Sequence, residues 1–257
     1  MASIAEITTY LDDLLATAKV PDYPGAINGL QLANSGDVTK IAACVDFSTR
    51  TVARAVGEKA NLMLVHHGMF WGGTKPITGA AYQRLHMLID NDVAVYASHL
   101  PLDKHGVFGN NVLLSRELGL SPSGEFAKHK DISIGVSGES DVATQDIFER
   151  ARRFARVHGG DAIATSSDPS RRTRKWAICT GAGASAETLQ EAARSGIDTL
   201  IVGEGPHWTA VEADELGIAI IYAGHYATET LGVFALAEHL SQKFSLDWVP
   251  IHAPTGL

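Results

Sequence analysis

Four short segments of the chain concentrate residues that can hold a metal ion. They are His66-His67, His99 with Asp103, Glu204 with His207, and His225 with Glu229. The donors are imidazoles and carboxylates, with no thiolate among them. Such a set suits zinc, iron, manganese, nickel or cobalt and disfavours a closed structural cysteine site. Carboxylates can bridge two ions. Two ions that share a handful of such ligands keep coordination positions open for water, and water acidified by a metal is the attacking group of hydrolytic chemistry.

Each piece alone is a weak signal. His66 and His67 are adjacent, and side chains alternate on an extended strand. They serve two metals or two faces of one site, or else one is a core residue and the other a surface residue. His225 and Glu229, four apart, share one face if they open a helix; a cap or surface pair has the same spacing. The pair His99 and Asp103 is open to the same doubt. Position is what joins them. Each pair follows an apolar run that reads as a strand, over 62–65, 93–97, 199–202 and 218–223. Loops beyond the carboxyl ends of strands in an open α/β sheet converge on a crevice, where sites form. The joint placement favours the metal reading.

The elements that must position these groups are legible in outline. Ser3 and Glu6 have capping-box spacing, and Ile4, Ile7, Leu11, Leu14 and Leu15 follow at helical intervals up to Pro21. After a Gly/Asn/Pro-rich loop over 24–36, strands are predicted over 41–45, 62–65 and 93–97. Helices are predicted over 48–59, 80–90 and 107–118. The second half repeats the habit, with strands over 177–180, 199–202 and 218–223 and helices over 185–195, 209–216 and 228–244. Between the halves lie a weaker strand signal over 132–136 and a helix around 141–156. Alternating strands and helices with near-continuous apolar strands indicate α/β architecture with largely parallel pairing.

The halves look like copies. Lys40-Ile41-Ala42-Ala43-Cys44 aligns with Lys175-Trp176-Ala177-Ile178-Cys179, Leu64-Val65-His66-His67-Gly68 with Ile201-Val202-Gly203-Glu204-Gly205, and Val95-Tyr96-Ala97-Ser98-His99 with Ile221-Tyr222-Ala223-Gly224-His225. Three matches in one order suggest a duplicated α/β unit. The expected domains are 1–125 plus 242–257, and 126–241, with the run over 246–251 pairing back onto the first sheet.

Gly181-Ala182-Gly183-Ala184-Ser185 follows a strand and opens a helix. It lacks the ending of a P-loop and the full dinucleotide fingerprint. A tight turn capped by Ser185 is the plain reading, and an anion held by backbone amides is the other. His86, His105, His129, His158, His239 and His252 lie outside the four loops and are read as surface or packing residues.

The chain as a whole sets the class. Its 257 residues, 45% hydrophobic and 19% charged, fit one large globular domain or two small ones. The formal charge of -8 argues against a non-specific nucleic-acid or anionic-membrane partner. The basic run Arg171, Arg172, Arg174 and Lys175 is read as a solvated lead-in to a strand. Cys44 and Cys179 sit in apolar runs, as thiols in a reducing cytosol do. No signal-peptide pattern opens the chain, and no apolar run reaches the length of a membrane span. A soluble cytoplasmic protein is expected.

At these residues the sequence resembles the Nif-three-like family of dinuclear metal-centre proteins, often labelled GTP cyclohydrolase 1 type 2-like. The matching pieces are Asn28-Gly29-Leu30-Gln31, Val65-His66-His67-Gly68, His99-Leu100-Pro101-Leu102-Asp103, Gly203-Glu204-Gly205-Pro206-His207 and Gly224-His225-Tyr226-Ala227-Thr228-Glu229. They run in the family's order from near residue 28 to 229. Leu100 departs from the pattern, which more often has Thr or Ser there. The resemblance implies two related α/β domains in a subunit of a toroidal homohexamer, in the short form without the central insertion. It implies two divalent ions per chain, held by His66, His67, Asp103, His225 and Glu229. It places His99 beside the metals, with Glu204 and His207 as further near-site groups able to move protons. The implied activity is that of a metal-dependent hydrolase acting on a nucleotide or related small molecule. The alternative is a non-catalytic ring scaffold, metal store or chaperone.

Overall fold

The computed structural model describes residues 2–257. The chain forms two compact units. The first runs to Leu102 and resumes over Gly232–Ala253; the second comprises Asp103–Leu231 and Pro254–Leu257. Among the described residues no helix is long and apolar enough to cross a membrane.

The first unit is built on a five-stranded sheet in the order Asp247–Pro250, Lys40–Asp46, Leu62–His67, Ala94–Ala97, Gly29–Leu32. The first four strands run parallel, and Gly29–Leu32 joins the edge antiparallel. Ile41 to Val45 and all six residues of Leu62–His67 are buried. Both sheet faces are covered, which is why these strands are apolar throughout rather than at alternate positions. The packed face includes Ala42, Cys44, Met63, Val65, Val95 and Ala97 against Val52, Ala55, Leu88 and Ile251. Helix Ile4–Leu14 begins with the expected capping box: the Glu6 N–H donates to Ser3 Oγ, and the Ser3 N–H donates back to Glu6 Oε2. The strand at Asp247–Pro250 pairs with Lys40 to Ala43, as the 246–251 run suggested. Register matters most for function. Asp46 pairs with His67, and Val65 with Ala97. The carboxyl ends of three central strands are therefore level, and Asp46, His66, His67 and His99 leave the sheet together.

The second unit carries a six-stranded sheet in the order Gly124–His129, Ile132–Ala143, Arg172–Cys179, Thr199–Val202, Ala219–Tyr222, Ile163–Ala164. Only the central three strands are mutually parallel; the other three join antiparallel. The largely parallel pairing expected from the sequence therefore holds for the centre and not for the flanks. Side-chain alternation along Arg172–Cys179 feeds two cores. Trp176 and Ile178 pack with Leu114, Leu118, Ile147, Ala151 and Phe154. Ala177 and Cys179 pack on the other face with Leu189, Ala192, Leu200 and Ile220.

The compact units divide at 102/103 and 231/232, whereas the sequence placed the divisions at 125/126 and 241/242. Two packing facts account for the difference. Leu114 and Leu118 of helix Asn110–Glu117 belong to the core of Trp176. Helix His225–Phe244 serves both units: Ala227 and Leu231 pack with that same core, while Phe234 lies against Trp248 and Tyr10 bonds His239 in the first unit.

Trp176 is fully buried at the centre of the second unit, and a side chain at Gly138 would strike its ring. Replacing Trp176 by Ala should cost about 3–5 kcal/mol of stability, read by chemical denaturation; a cost under ~1 kcal/mol would contradict this core.

Candidate metal centre

In the first unit His66, His67 and His99 form one group. Each offers a ring nitrogen, and the three nitrogens lie within 4.8 Å of one another. All three side chains are buried. The ring centroids of His66 stand 4.9 Å from His67 and 5.0 Å from His99. Every ring is oriented by an oxygen at Nδ1. His66 Nδ1 meets the Ser98 carbonyl at 2.9 Å, His67 Nδ1 meets Asp46 Oδ1 at 2.9 Å, and His99 Nδ1 meets Asp22 Oδ1 at 2.8 Å. A carbonyl or carboxylate oxygen accepts, so the neutral ring carries its proton on Nδ1 and its lone pair on Nε2. This is the orienting arrangement typical of metal-ligating histidines.

The loop before Gly29–Leu32 exists to hold His99. Asp22 Oδ2 accepts from the Leu100 N–H and from Asn28 Nδ2, and Asn28 Oδ1 accepts from the His99 N–H at 2.7 Å. Burial alone would push the Asp22 carboxyl up; the hydrogen bond and charge of His99, with Asn28 and the Tyr23 N–H, outweigh it and bring the group down to about 2. Gln31 ties the same loop to the one after His67: its amide donates to Ala26 O and Ile27 O, and its oxygen accepts from the Met69 N–H. Gly68 leaves room for this, since a Cβ there would lie 2.5 Å from the Gln31 amide. Ile27 sits at φ 38°, a costly conformation for a β-branched residue.

In the second unit His225 opens helix His225–Phe244, three residues earlier than the sequence suggested, and Glu229 follows one turn later. His225 Nε2 stands 3.1 Å from Glu229 Oε2, and Nδ1 stands 2.9 Å from Glu204 Oε1. Burial pushes the imidazole down, but the bonds and charges of Glu229 and Glu204 prevail and raise it to about 9. Glycines make space for this pair. A Cβ on Gly181, itself at φ +63°, would lie 2.1 Å from Glu229 Oε1; one on Gly203 would lie 2.5 Å from Gly181 O and 2.8 Å from His225 Cα. The Gly181 to Ser185 turn therefore has two structural duties, admitting Glu229 at its start and capping helix Ala186–Ser195 through Ser185 and Thr188.

Asp103 is buried, and its Oδ1 accepts from Asn110 Nδ2 at 2.7 Å. His207 is the first residue of helix His207–Glu215 and is exposed. Within the first unit the structure thus gathers His66, His67 and His99, and within the second Glu204, His225 and Glu229; His207 stands outside both sets. Lone pairs on imidazole nitrogen, with carboxylate oxygens, fit borderline divalent ions such as zinc or iron. The residues that sequence reading missed are the orienting ones. Asp46 carried a usable signal, because it directly follows an apolar strand like the groups that were recognised. Asn28 stood in the Asn28-Gly29-Leu30-Gln31 motif with no part assigned to it, and Asp22 carried no signal, since it acts on a histidine more than 70 residues away.

Two outcomes follow from this loop. A carboxyl lowered in the folded state adds stability that is complete above its unfolded value of 3.8 and lost as pH falls through about 2. Thermal melts of wild type and Asp22→Asn should therefore converge as pH falls from 4 to 2; a constant gap would contradict the Asp22–His99 bond. Ile27→Gly should raise unfolding free energy by about 1 kcal/mol, because relief of the left-handed strain exceeds the entropy cost of glycine; denaturant midpoints would test it.

The sequence profile described as Duf34/NIF3 (NGG1p interacting factor 3) matches residues 2–254. A protein of Deinococcus radiodurans named GTP cyclohydrolase 1 type 2 homolog is 37% identical, over 98% of this chain and 94% of its own length. The solved structure of protein ybgI, titled as of unknown function, is 32% identical with a TM-score of 0.89, covering 99% of this chain and 100% of that one. That of TTHA1606 from Thermus thermophilus is 33% identical with a TM-score of 0.86, over 99% and 100%. The resemblance carried by the five sequence motifs is therefore one of descent, and the chain belongs to the Duf34/NIF3 family.

Proposed function

We propose that this protein is a metal-dependent hydrolase acting on a nucleotide or related small molecule. In this reading His66, His67, Asp103, His225 and Glu229 hold two divalent ions, from among zinc, iron, manganese, nickel and cobalt. The observation that carries it is the orientation of His66, His67 and His225, each fixed at Nδ1 by an oxygen acceptor. A buried histidine that merely fills space needs no oxygen aimed at Nδ1 to set which ring nitrogen carries the proton. When bound, the ions supply Lewis-acid charge and lower the pKa of a coordinated water.

The chain's own groups have distinct parts. Glu229, buried against Gly181 and His225, contributes a carboxylate whose position is fixed on two sides. Asn110 donates to one oxygen of Asp103 and so fixes the carboxylate. His99 is held by Asp22 and Asn28 with a ring nitrogen beside those of the other two histidines, where it can take or give a proton at the substrate. Glu204 orients His225, while a proton-moving part for His207 rests on the family resemblance alone. The names of curated relatives support a nucleotide as the substrate class.

The same reading extends to assembly. We take the two units to be copies of one ancestral unit. In support, each sheet centres on three parallel strands in chain order, and these are the strands whose sequences align. The family resemblance supports a homohexamer working in the cytoplasm, and the acidic balance of -8 suits a small-molecule substrate better than nucleic acid.

Glu229→Gln decides between catalysis and the storage or scaffold alternative. With metal loaded, it should lower kcat on a hydrolysed nucleotide by at least about 100-fold. Release of nucleotide products followed by chromatography would measure it. No turnover by wild type of any nucleotide or phosphoester, with metals that exchange freely, would contradict the hydrolase and favour the store or scaffold.

A further inference from the structure

Two aromatic side chains near the histidine group are not explained by core packing. Trp71 follows His66-His67 on the next loop. Its ring centroid lies 4.5 Å from His67, inclined 34°, and 4.4 Å from His99, edge-on at 65°. The imidazoles are buried, at 6% and 7% exposure, yet the indole is 40% exposed. Tyr23 lies 6.0 Å from the His99 ring and is 51% exposed. It sits next to Asp22, the residue that holds His99. The two loops meet at the backbone: a Cβ on Gly25 would lie 2.9 Å from Trp71 O and 3.2 Å from Phe70 O. Both rings are thus set by the same two loops that set the histidines.

We propose that Trp71, with Tyr23 on the adjoining loop, is a stacking platform that holds the planar heteroaromatic ring of the substrate at the His66–His67–His99 group. This rests on the functional reading above, in which that group faces the reacting atoms. One side of the indole contacts the imidazoles, and the part left in solvent is a flat, apolar, electron-rich surface. Aromatic heterocycles gain both area burial and favourable stacking on such a surface, and gain it whichever base they carry. A sugar phosphate without a ring gains neither. The platform therefore selects nucleotides and fused heterocycles as a class over non-aromatic phosphoesters, and leaves discrimination among bases to polar contacts.

The test is equilibrium binding to the full-length, zinc-loaded protein by calorimetry, with guanosine 5′-monophosphate and ribose 5-phosphate as probes. Metal content is measured for every variant, so that a loss caused by a disturbed His67 is recognised. Trp71→Leu should weaken nucleotide binding about tenfold or more and leave ribose 5-phosphate unchanged, while Trp71→Phe should lose under about threefold. Tyr23→Leu, at an exposed ring, should lose about threefold on the nucleotide alone and serves if Trp71→Leu does not fold. Equal weakening of both probes, unchanged nucleotide affinity in Trp71→Leu, or a wild type that does not prefer the nucleotide would each overturn the platform. Binding without turnover would keep the platform and reject the hydrolase. Turnover of non-aromatic esters with no preference for a ring would do the reverse.

Discussion

A histidine ligates a metal only through a nitrogen that carries a lone pair, and the bond made by the other nitrogen decides which one that is. Here an oxygen meets Nδ1 four times, Ser98 O at His66, Asp46 at His67, Asp22 at His99 and Glu204 at His225, whose Nε2 also meets Glu229. Much of the surrounding architecture serves these four contacts. The level ends of the parallel strands bring Asp46 and Ser98 to His67 and His66. A strained loop brings Asp22 and Asn28 to His99. Glycines at 181 and 203 let Glu229 and His225 come within bonding distance of each other.

Burying so many polar groups is costly unless each is satisfied. The two sheets provide the offsetting apolar burial. Their central strands are covered on both faces, so that the histidines and carboxylates sit at the rims of cores that are already dry. Low local dielectric then strengthens each orienting bond. Against the effect of burial, those bonds also shift protonation: His99 holds the Asp22 carboxyl well below its ordinary range, and Glu229 and Glu204 raise His225 to about 9.

Legibility in the sequence followed the range of the interactions. Central strands were visible because burial on both faces makes them apolar throughout, and helix starts were visible because capping is local, as at Ser3 and Glu6. The candidate ligands were visible because they follow such strands directly. Edge elements were not: Gly29–Leu32 is short and half-exposed, and the hairpin of Gly124–His129 with Ile132–Ala143 is interrupted by Gly135 and Gly138, so that only a fragment of it stood out. The compact units divide elsewhere than the expected boundaries because one continuous helix, His225–Phe244, runs through the division at Gly232. The orienting part of Asn28, and Asp22 altogether, depend on contacts more than 70 residues apart in the chain, which no local pattern reveals.

The central claim is that these oriented donors form a dinuclear metal centre. Elemental analysis of the purified protein, as wild type and as the double variant His66→Ala with Glu229→Gln, tests it most directly. Close to two divalent ions per chain in wild type, lost in the variant, is the result this account predicts. No metal in the wild type, even after unfolding-free reloading with zinc, iron or manganese, would contradict it.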